Sequence, residues 1–303
     1  MRVRILVFGA GAIGSLLGGL LSRENEVTIV GRKHHVDAIN RKGLHISGAT
    51  TFLAWPTAVT AVPTGDYDAI FVATKAYDTA TAVDALRAFW REGPFITLQN
   101  GLGNAEALAA KAARVVAGTT THGVTFVAPG EIIHAGAGET VVGPWDRTTR
   151  ADAERIAGVL TAAGMRTSVT DDVRRELWAK AVVNAAINPL TAVLRRPNGD
   201  LAAHPDLRAL LDRIAREGVL AANAAGASLD ADGIAAKAVE VAAATAGNRS
   251  SMLQDVERGR RTEIEAIAGC LIEAIGAKGP PIPYIRTMYA VVRGLERGAE
   301  SPS

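Results

Sequence analysis

Residues 4–14 read Arg4-Ile5-Leu6-Val7-Phe8-Gly9-Ala10-Gly11-Ala12-Ile13-Gly14, an apolar run that leads into the pattern G-x-G-x-x-G. The run predicts a buried strand, and the apolar residues after the third glycine predict a helix. In such a turn the first glycine allows a tight bend, the second lets the backbone approach a pyrophosphate, and the third lets helix and strand pack closely. Free N–H groups at the helix start then offer a phosphate site. The stretch predicts a dinucleotide-binding turn.

The residues that follow support this interpretation over an ordinary glycine-rich turn. A second apolar run, residues 27–30, has the spacing of the next strand in a βαβ unit. A site for NAD usually places Asp or Glu after that strand, whereas this chain has Gly31-Arg32-Lys33. A cation there favours the 2′-phosphate of NADPH, and Arg32 is the predicted ligand. The alternative is that Arg32 and Lys33 only form a solvated turn.

Composition excludes several classes of protein. The chain has 303 residues, enough for two domains, and a net charge of +2 with 5% aromatic residues, which gives no indication of a nucleic-acid surface. One cysteine, Cys270, excludes an intrachain disulfide. Residues 1–21 resemble a signal peptide, but its cleavage would remove the phosphate-binding turn. With no long apolar run expected to cross a membrane, we predict a cytoplasmic protein.

The order of apolar runs predicts an α/β protein with two domains. Strands alternate with helical stretches at residues 3–8, 27–30, 69–73, 95–98 and 115–118, which is typical of a parallel sheet. Residues 124–127, 131–134 and 139–142 are separated by glycine-containing turns and predict hairpins. After residue 172 the pattern is helical and rich in alanine. We predict a Rossmann-type parallel-sheet domain with an antiparallel extension over 1–170, which binds NADP. An all-helical domain for substrate binding and catalysis follows over 171–303.

A lysine and two amides share one face of a predicted helix. Lys180, Asn184 and Asn188 are spaced four residues apart among Ala, Val and Ile. Buried ammonium and amide groups are costly without partners, so the face is either exposed to solvent or binds a ligand. Proline disfavours helical geometry at the residue before it, so we expect Pro189 to place Asn188 in the last turn, within reach of a ligand.

A second polar cluster lies between residues 248 and 265. In one straight helix Ser251 and Glu263 would be about 18 Å apart, too far to contact one small substrate. Gly259 is typical of a helix end, and Thr262 with Glu265 forms the T-x-x-E pattern of a capping box. We therefore predict a helix break between residues 258 and 262. The alternative is that these side chains only cap helices.

Two further polar segments follow predicted strands. Lys75 comes after the strand at 69–73, and Asn100-Gly101 follows the strand at 95–98. Open α/β sheets bind ligands at the carboxyl ends of their strands, although Asn-Gly is also a common turn. The six histidines show no metal-ligand spacing with acids or cysteine, so no metal site is predicted.

With these pieces assembled, the chain resembles the ketopantoate reductase (2-dehydropantoate 2-reductase) family over nearly its full length. The resemblance implies that Lys180 is the general acid and that Glu263 supports it. The matching motifs are Gly9 to Gly14, Arg32, Lys75-Ala76, Asn100-Gly101-Leu102-Gly103, Trp178-x-Lys180-x3-Asn184-x3-Asn188-Pro189 and Ser250 to Asp255 with Thr262-Glu263-Ile264. Implied substrate-binding residues are Asn184, Asn188, Ser251, Asn100 and Asn248. Implied cofactor-binding residues are Gly9, Ala10, Gly11, Ala12, Ile13, Gly14, Arg32, Lys75 and Asn100.

The resemblance implies reduction of 2-dehydropantoate to (R)-pantoate with NADPH, in the biosynthesis of pantothenate and coenzyme A. The chemistry agrees, because hydride addition to a ketone builds negative charge on oxygen and requires a proton donor. Two alternatives remain: a family paralogue that reduces another small 2-oxo acid or ketone, and a non-catalytic protein that senses NADP. Expected partners are a small 2-oxo acid and NADPH/NADP+, with no nucleic acid and no membrane. Homodimers are common in the family, so a homodimer is allowed.

Overall fold

The computed structural model describes residues 2–145 and 150–300, and its contacts divide the chain into two compact units. The first unit holds the residues up to Gln99 together with Gly103–Val173. The second holds Asn100–Leu102 together with the residues from Arg174 onward. The segment Asn100–Leu102 thus interrupts the first unit in sequence and groups with the helical half.

Strands of the first unit form two sheets. They are β1 (Arg4–Phe8), β2 (Glu26–Val30), β3 (Leu44–Gly48), β4 (Phe52–Ala54), β5 (Thr57–Val59), β6 (Ala69–Val72), β7 (Phe95–Thr97), β8 (Val115–Thr120), β9 (Gly123–Ala128), β10 (Glu131–Gly136), β11 (Glu139–Pro144) and β12 (Arg166–Val169). Among the described residues the large sheet has the order β12-β11-β8-β7-β6-β1-β2-β5, and the small sheet has the order β4-β3-β10-β9.

The large sheet has the strand order of a Rossmann fold. From β5 to β8 its strands are parallel, and in chain order they run 3-2-1-4-5-6. The order reverses between β1 and β6, which is where such sheets open a crevice for a ligand. Successive β1 side chains lie in cores on opposite faces of the sheet, Ile5 and Val7 on one and Leu6 on the other. Both faces are therefore covered, as parallel sheets require.

The predicted fold class is confirmed, and the five predicted parallel strands are present with ends shifted by one or two residues. Strands β3, β4, β5 and β12 were not predicted from the sequence. These strands have three to five residues each, too short for a clear alternating pattern.

The prediction of successive hairpins is half wrong. Strands β9 and β10 do form an antiparallel pair, but β11 leaves them and pairs with β8 and β12 in the large sheet. This pairing buries Val142 completely and joins the hydroxyls of Thr140 and Thr120 at 3.0 Å. Burial against the open edge of β8 therefore outweighs the local turn signal.

Helices cover the large sheet and build the second unit. In the first unit they are α1 (Ala12–Leu21), α2 (Lys33–Lys42), α3 (Thr79–Ala85), α4 (Asn104–Ala109) and α5 (Arg150–Ala162). From the unit boundary onward they are α6 (Val173–Leu194), α7 (Asn198–Ala203), α8 (Pro205–Ala224), α9 (Ala231–Ala244), α10 (Ser251–Glu257), α11 (Cys270–Ile275) and α12 (Pro283–Glu300). A π-helical segment, Glu265–Gly269, leads directly into α11, and short 3-10 turns occupy Ala76–Asp78 and Arg87–Phe89.

Alanine and glycine allow the helices of the second unit to approach closely. A Cβ atom on Gly218 of α8 would lie 2.6 Å from a methyl carbon of Val182 on α6. Within the described part of the chain, α6 is the one helix long and apolar enough to cross a membrane, and 61% of its most apolar window is buried inside the protein. A core helix of a soluble protein has the same properties, so this is weak evidence for a membrane span.

Candidate active site

The phosphate-binding turn joins β1 to α1, and two of its glycines are required by the fold itself. Gly9 has φ of +109°, and a Cβ atom there would lie 2.7 Å from the backbone of Ala73 and Thr74 at the end of β6. A Cβ atom on Gly14 would lie 1.8 Å from the carbonyl oxygen of Gly9. A side chain at Gly9 would push the turn away from the sheet, and one at Gly14 would push α1 away from the turn.

The middle glycine meets no such restriction. Gly11 is exposed, and a Cβ atom on it would have its nearest neighbour, the oxygen of Ala73, at 4.0 Å. It is the N-cap of α1, where no side chain caps the helix, so the first N–H groups of the helix face this open space. Open space beside the N–H groups that the first turn of a helix leaves without an intrahelical partner is suited to an anion such as a pyrophosphate. Ala10, Ala12 and Ile13 complete the turn.

A cation stands at the end of β2, where Arg32 is the N-cap of α2 and is exposed. The neighbouring Lys33 is engaged by its own helix, with Nζ 2.9 Å from Oδ2 of Asp37. Within the described residues no ion pair involves Arg32. Of the two cations predicted for a 2′-phosphate, Arg32 is therefore the one left available.

A polar network that the sequence analysis missed fixes the segment around Lys75. The amide nitrogen Nε2 of Gln99 donates to the carbonyl oxygen of Thr74 and to Oγ1 of Thr79, both at 2.9 Å. The Thr79 hydroxyl in turn donates to Oδ1 of Asn104 at 2.7 Å. Thr74 and Thr79 flank Lys75, so the carboxamide of Gln99, two residues after β7, bonds to both sides of the segment that carries the lysine. Gln99, directly before Asn100-Gly101, and the two threonines were the available signal.

Asn100 belongs to the segment Asn100–Leu102, which is part of the second unit. The N–H of Leu102 donates to the carbonyl oxygen of Ala266 at 2.8 Å, within the π-helical segment Glu265–Gly269. Gly101 has φ of +81°, and a Cβ atom on it would lie 2.6 Å from Cβ of Ala266. The Asn-Gly pair therefore does more than form a turn, because its glycine permits close approach to the helix that follows Glu263.

Lys180, Asn184 and Asn188 lie on one continuous helix, α6. Lys180 is half-buried, and desolvation lowers its pKa to about 8, against the opposing influence of the negative charge on Glu263. Glu263 is itself 7% exposed. The structure thus brings the predicted acid and its predicted support into electrostatic contact, and the lysine still carries its proton at neutral pH.

The expectation that Pro189 places Asn188 in the last turn is wrong. Helix α6 continues through Pro189 to Leu194, so Asn188 is not in its last turn. The residue is also buried, at 7% exposure. Proline at position 189 removes the helical bond to the carbonyl oxygen of Ala185. One turn further on, the hydroxyl of Thr191 donates to the carbonyl oxygen of Asn188 at 2.9 Å. Packing of the buried residues around it maintains the helix.

Residues before α10 hold that helix in place. Ser250 is its N-cap, with Oγ accepting from the N–H of Leu253 at 3.1 Å and lying 2.7 Å from Oγ1 of Thr191. The backbone oxygen of Asn248 accepts from the N–H of Asn198 at 3.0 Å. Ser251 is the first residue of α10 and is half-buried.

The predicted break between residues 258 and 262 is confirmed. Helix α10 ends at Glu257, and Gly259 has φ of +60°. The N–H groups of Gly259 and Arg260 donate to the carbonyls of Val256 and Asp255 at 3.1 and 2.8 Å, which is a Schellman motif. Helix α10 therefore ends between Ser251 and Glu263, and the two residues do not lie on one continuous helix.

The predicted capping box is wrong in its acidic partner. Thr262 Oγ1 accepts from the N–H of Ile264 at 3.2 Å, as a cap should. The N–H and the hydroxyl of Thr262, however, both donate to Oε1 of Glu296 on α12, each at 2.7 Å. Glu265 instead accepts from Tyr289 and Arg293 of the same helix. A tertiary contact therefore replaces the local one.

Each unit thus carries a different kind of chemistry. The first provides the glycine-rich turn, the exposed Arg32 and the segment of Lys75 that Gln99 holds by hydrogen bonds, which are groups suited to a dinucleotide. The second provides a lysine that is ready to donate a proton, a buried carboxylate, and several amide and hydroxyl donors. Within the described residues there is no group of three His, Cys, Asp or Glu side chains that could hold a metal ion.

Comparison with known proteins agrees with this division. Residues 5–147 match the family model described as ketopantoate reductase PanE/ApbA, and residues 172–296 match the model of its C-terminal domain. A 2-dehydropantoate 2-reductase from Archaeoglobus fulgidus is 41% identical over 300 residues, which cover 98% of this chain and 100% of that protein.

Solved structures show the same fold. A 2-dehydropantoate 2-reductase from Geobacter metallireducens has a TM-score of 0.88 and 30% identity, covering 96% of this chain and 99% of its own. D-mandelate dehydrogenase in complex with NADH and anilino(oxo)acetate has a TM-score of 0.92 with 98% and 100% coverage, but at 23% identity it shows the fold alone. The first unit is a Rossmann-type NAD(P) fold, and the chain belongs to the ketopantoate reductase family.

Proposed function

We propose that the protein is an NADPH-dependent 2-dehydropantoate 2-reductase, which reduces ketopantoate to (R)-pantoate. The observation that carries the proposal is Lys180, a half-buried lysine with a pKa of about 8 beside the buried Glu263. Whole-length similarity to proteins named 2-dehydropantoate 2-reductase supports the choice of substrate.

In this reaction NADPH supplies the hydride, and the chain supplies binding, orientation and a proton. The Gly9–Gly14 turn would bind the pyrophosphate, and Arg32 would bind the 2′-phosphate. Lys75 and Asn100 would bind the nicotinamide region. Lys180 Nζ donates its proton to the ketone oxygen as negative charge develops there. Glu263 keeps the pKa of that ammonium from falling further. The amides of Asn100, Asn184, Asn188 and Asn248 and the hydroxyl of Ser251 bind the carboxylate and hydroxyl of the substrate.

The wider setting follows from this assignment. Pantoate is a precursor of pantothenate and coenzyme A, so the proposal places the enzyme in that biosynthesis, in the cytoplasm. A homodimer is the assembly we expect. A family member that reduces another small 2-oxo acid is the alternative.

The proposal is tested by following NADPH absorbance with a panel of 2-oxo acids that contains ketopantoate, pyruvate, 2-oxoisovalerate and phenylglyoxylate. We expect ketopantoate to give the highest kcat/KM. A higher value with another member of the panel would reject the substrate, and no NADPH oxidation with any of them would reject the enzyme assignment.

A backbone variant tests the cofactor site separately. Gly11→Ala places a methyl group in the open space of the turn, where the fold tolerates it. We expect binding of NADPH and NADH to fall together while the melting temperature stays the same. Unchanged cofactor binding would show that the pyrophosphate lies elsewhere.

A further inference from the structure

His35 lies in the first turn of α2 and is 4% exposed. Both of its ring nitrogens have partners. Nδ1 is 2.9 Å from the backbone nitrogen of Gly130, and Nε2 is 3.0 Å from Oγ of Ser15. The ring of Phe126 packs beside it, with centroids 4.9 Å apart. No role suggested by the sequence analysis accounts for this buried histidine.

The partners determine where the proton sits. A backbone N–H only donates, so Nδ1 must accept from Gly130 and carries no proton. The neutral ring therefore has its proton on Nε2 and donates it to Ser15 Oγ. The Ser15 hydroxyl then donates to the carbonyl oxygen of Ala10 at 3.3 Å. Burial lowers the pKa of His35 to about 4, which keeps the ring neutral at physiological pH.

This chain of hydrogen bonds connects two parts of the cofactor site. Ala10 belongs to the phosphate-binding turn, and Ser15 directly follows its last glycine. His35 is three residues after Arg32, so its ring fixes the turn of α2 that begins at the arginine. A guanidinium recognises a phosphate well only when the two are held in the right geometry. The His35–Ser15 bond therefore joins the helix that follows the glycine-rich turn to the helix that begins after Arg32.

We propose that His35 is a positioning residue for cofactor choice, which through Ser15 holds Arg32 at the distance from the phosphate-binding turn that NADPH requires. The inference rests on the proposed preference for NADPH. It assigns the histidine no contact with the cofactor. It predicts that breaking the Ser15 bond affects NADPH more than NADH, because only NADPH has the 2′-phosphate.

Two amide substitutions separate the two bonds of the ring. His35→Gln places an amide nitrogen near the position of Nε2, so it keeps the hydrogen bond to Ser15 and loses the one from the N–H of Gly130. His35→Asn places an amide oxygen near the position of Nδ1, so it keeps Gly130 and loses Ser15. Dissociation constants for NADPH and NADH are measured by nicotinamide fluorescence, without substrate. We expect His35→Asn to reduce the preference for NADPH about tenfold, and His35→Gln to retain it.

Ser15→Ala provides a second route to the same result and changes little volume. It should reduce the preference as much as His35→Asn does, and the double variant should lose no more than either single one. His34→Asn, on the exposed neighbouring residue, is the control and should change nothing.

The outcomes distinguish this inference from the proposed function. A wild-type protein that binds NADH as tightly as NADPH would overturn the proposed cofactor. A wild-type preference for NADPH that survives in both His35→Asn and Ser15→Ala would overturn only the role of His35. A lower melting temperature with an unchanged preference would make the bond purely structural.

Discussion

Lys180 combines burial with a neighbouring carboxylate, and the balance of the two sets its proton affinity. Lys180→Ala should lower kcat by about 10² to 10⁴, as expected for loss of a general acid, and should leave NADPH binding nearly unchanged. Stopped-flow turnover and a fluorescence titration measure the two effects. Near-normal turnover would remove Lys180 from the mechanism and would leave α6 with a structural polar stripe.

The dependence of kcat/KM on pH tests the surroundings of Lys180. A general acid must be protonated, so kcat/KM should fall as pH rises through the Lys180 pKa of about 8. The charge on Glu263 raises that pKa, so Glu263→Gln should move the alkaline limb to lower pH. Glu240→Gln, at an exposed site on α9, is the matched control and should leave it in place. A limb that stays fixed in Glu263→Gln would contradict the coupling.

Arg32 is the residue on which cofactor choice depends directly. Arg32→Ala should remove a charge-assisted contact and weaken NADPH by roughly 1.5 to 3 kcal/mol, with NADH almost unaffected. Lys33→Ala serves as the comparison, because that lysine is held by Asp37 and its loss should matter less. Equal loss of both cofactors in Arg32→Ala would mean that the arginine is structural.

At the scale of elements, the Asn100–Leu102 segment depends on a glycine that faces Ala266. Gly101→Ala should push the segment off the π-helical turn, break the Leu102 bond and lower kcat/KM about tenfold or more. Gly103 is a close control, since its φ of +88° carries the same strain for alanine but nothing lies within 4 Å of its Cβ position. Similar losses in Gly101→Ala and Gly103→Ala would show backbone strain alone.

Elements encoded by local sequence were predictable, and elements that depend on distant contacts were not. The Gly9–Gly14 turn, the parallel strands and the break at Gly259 all follow from neighbouring residues. By contrast, the N–H of Thr262 donates to Glu296, which is 34 residues away in sequence, and not to the predicted Glu265. Strand β11 likewise pairs with β8 and not with the neighbouring β10. The Gln99 clamp was missed for the same reason, since its partners lie on another loop.

Helix α6 is a second case in which contacts distant in sequence override a local signal. Pro189 is a strong local signal for a helix end, yet the helix continues because tertiary burial outweighs the loss of one backbone donor. The residue pattern correctly placed Lys180, Asn184 and Asn188 on one helix. It could not show that Asn188 lies in a buried stretch.

At the scale of the whole molecule, buried histidines are concentrated in one unit. His35, His122 and His134 are buried in the first unit, and burial lowers their pKa values, to about 4 for His35 and His122. In the second unit the sequence contains one histidine, His204, which is exposed. Acid should therefore destabilise the two units unequally.

The direction follows from proton binding. As pH falls below 6.5, these histidines bind protons more readily in the unfolded chain than in the folded one, because burial lowers their pKa values, so unfolding is favoured. The stability that His35 and His122 contribute is complete above pH 6.5 and is lost as pH falls towards 4, on the order of 3 kcal/mol for His35. Between pH 6.5 and 5 most carboxylates remain ionised, so changes in this window come from the histidines.

Hydrogen exchange followed by mass spectrometry should show protection falling in peptides of the first unit and little change in α8 and α9. His204→Asn should leave this pattern as it is, whereas His35→Gln should reduce the pH dependence in the first unit. Equal loss of protection in both units over this window would contradict the prediction.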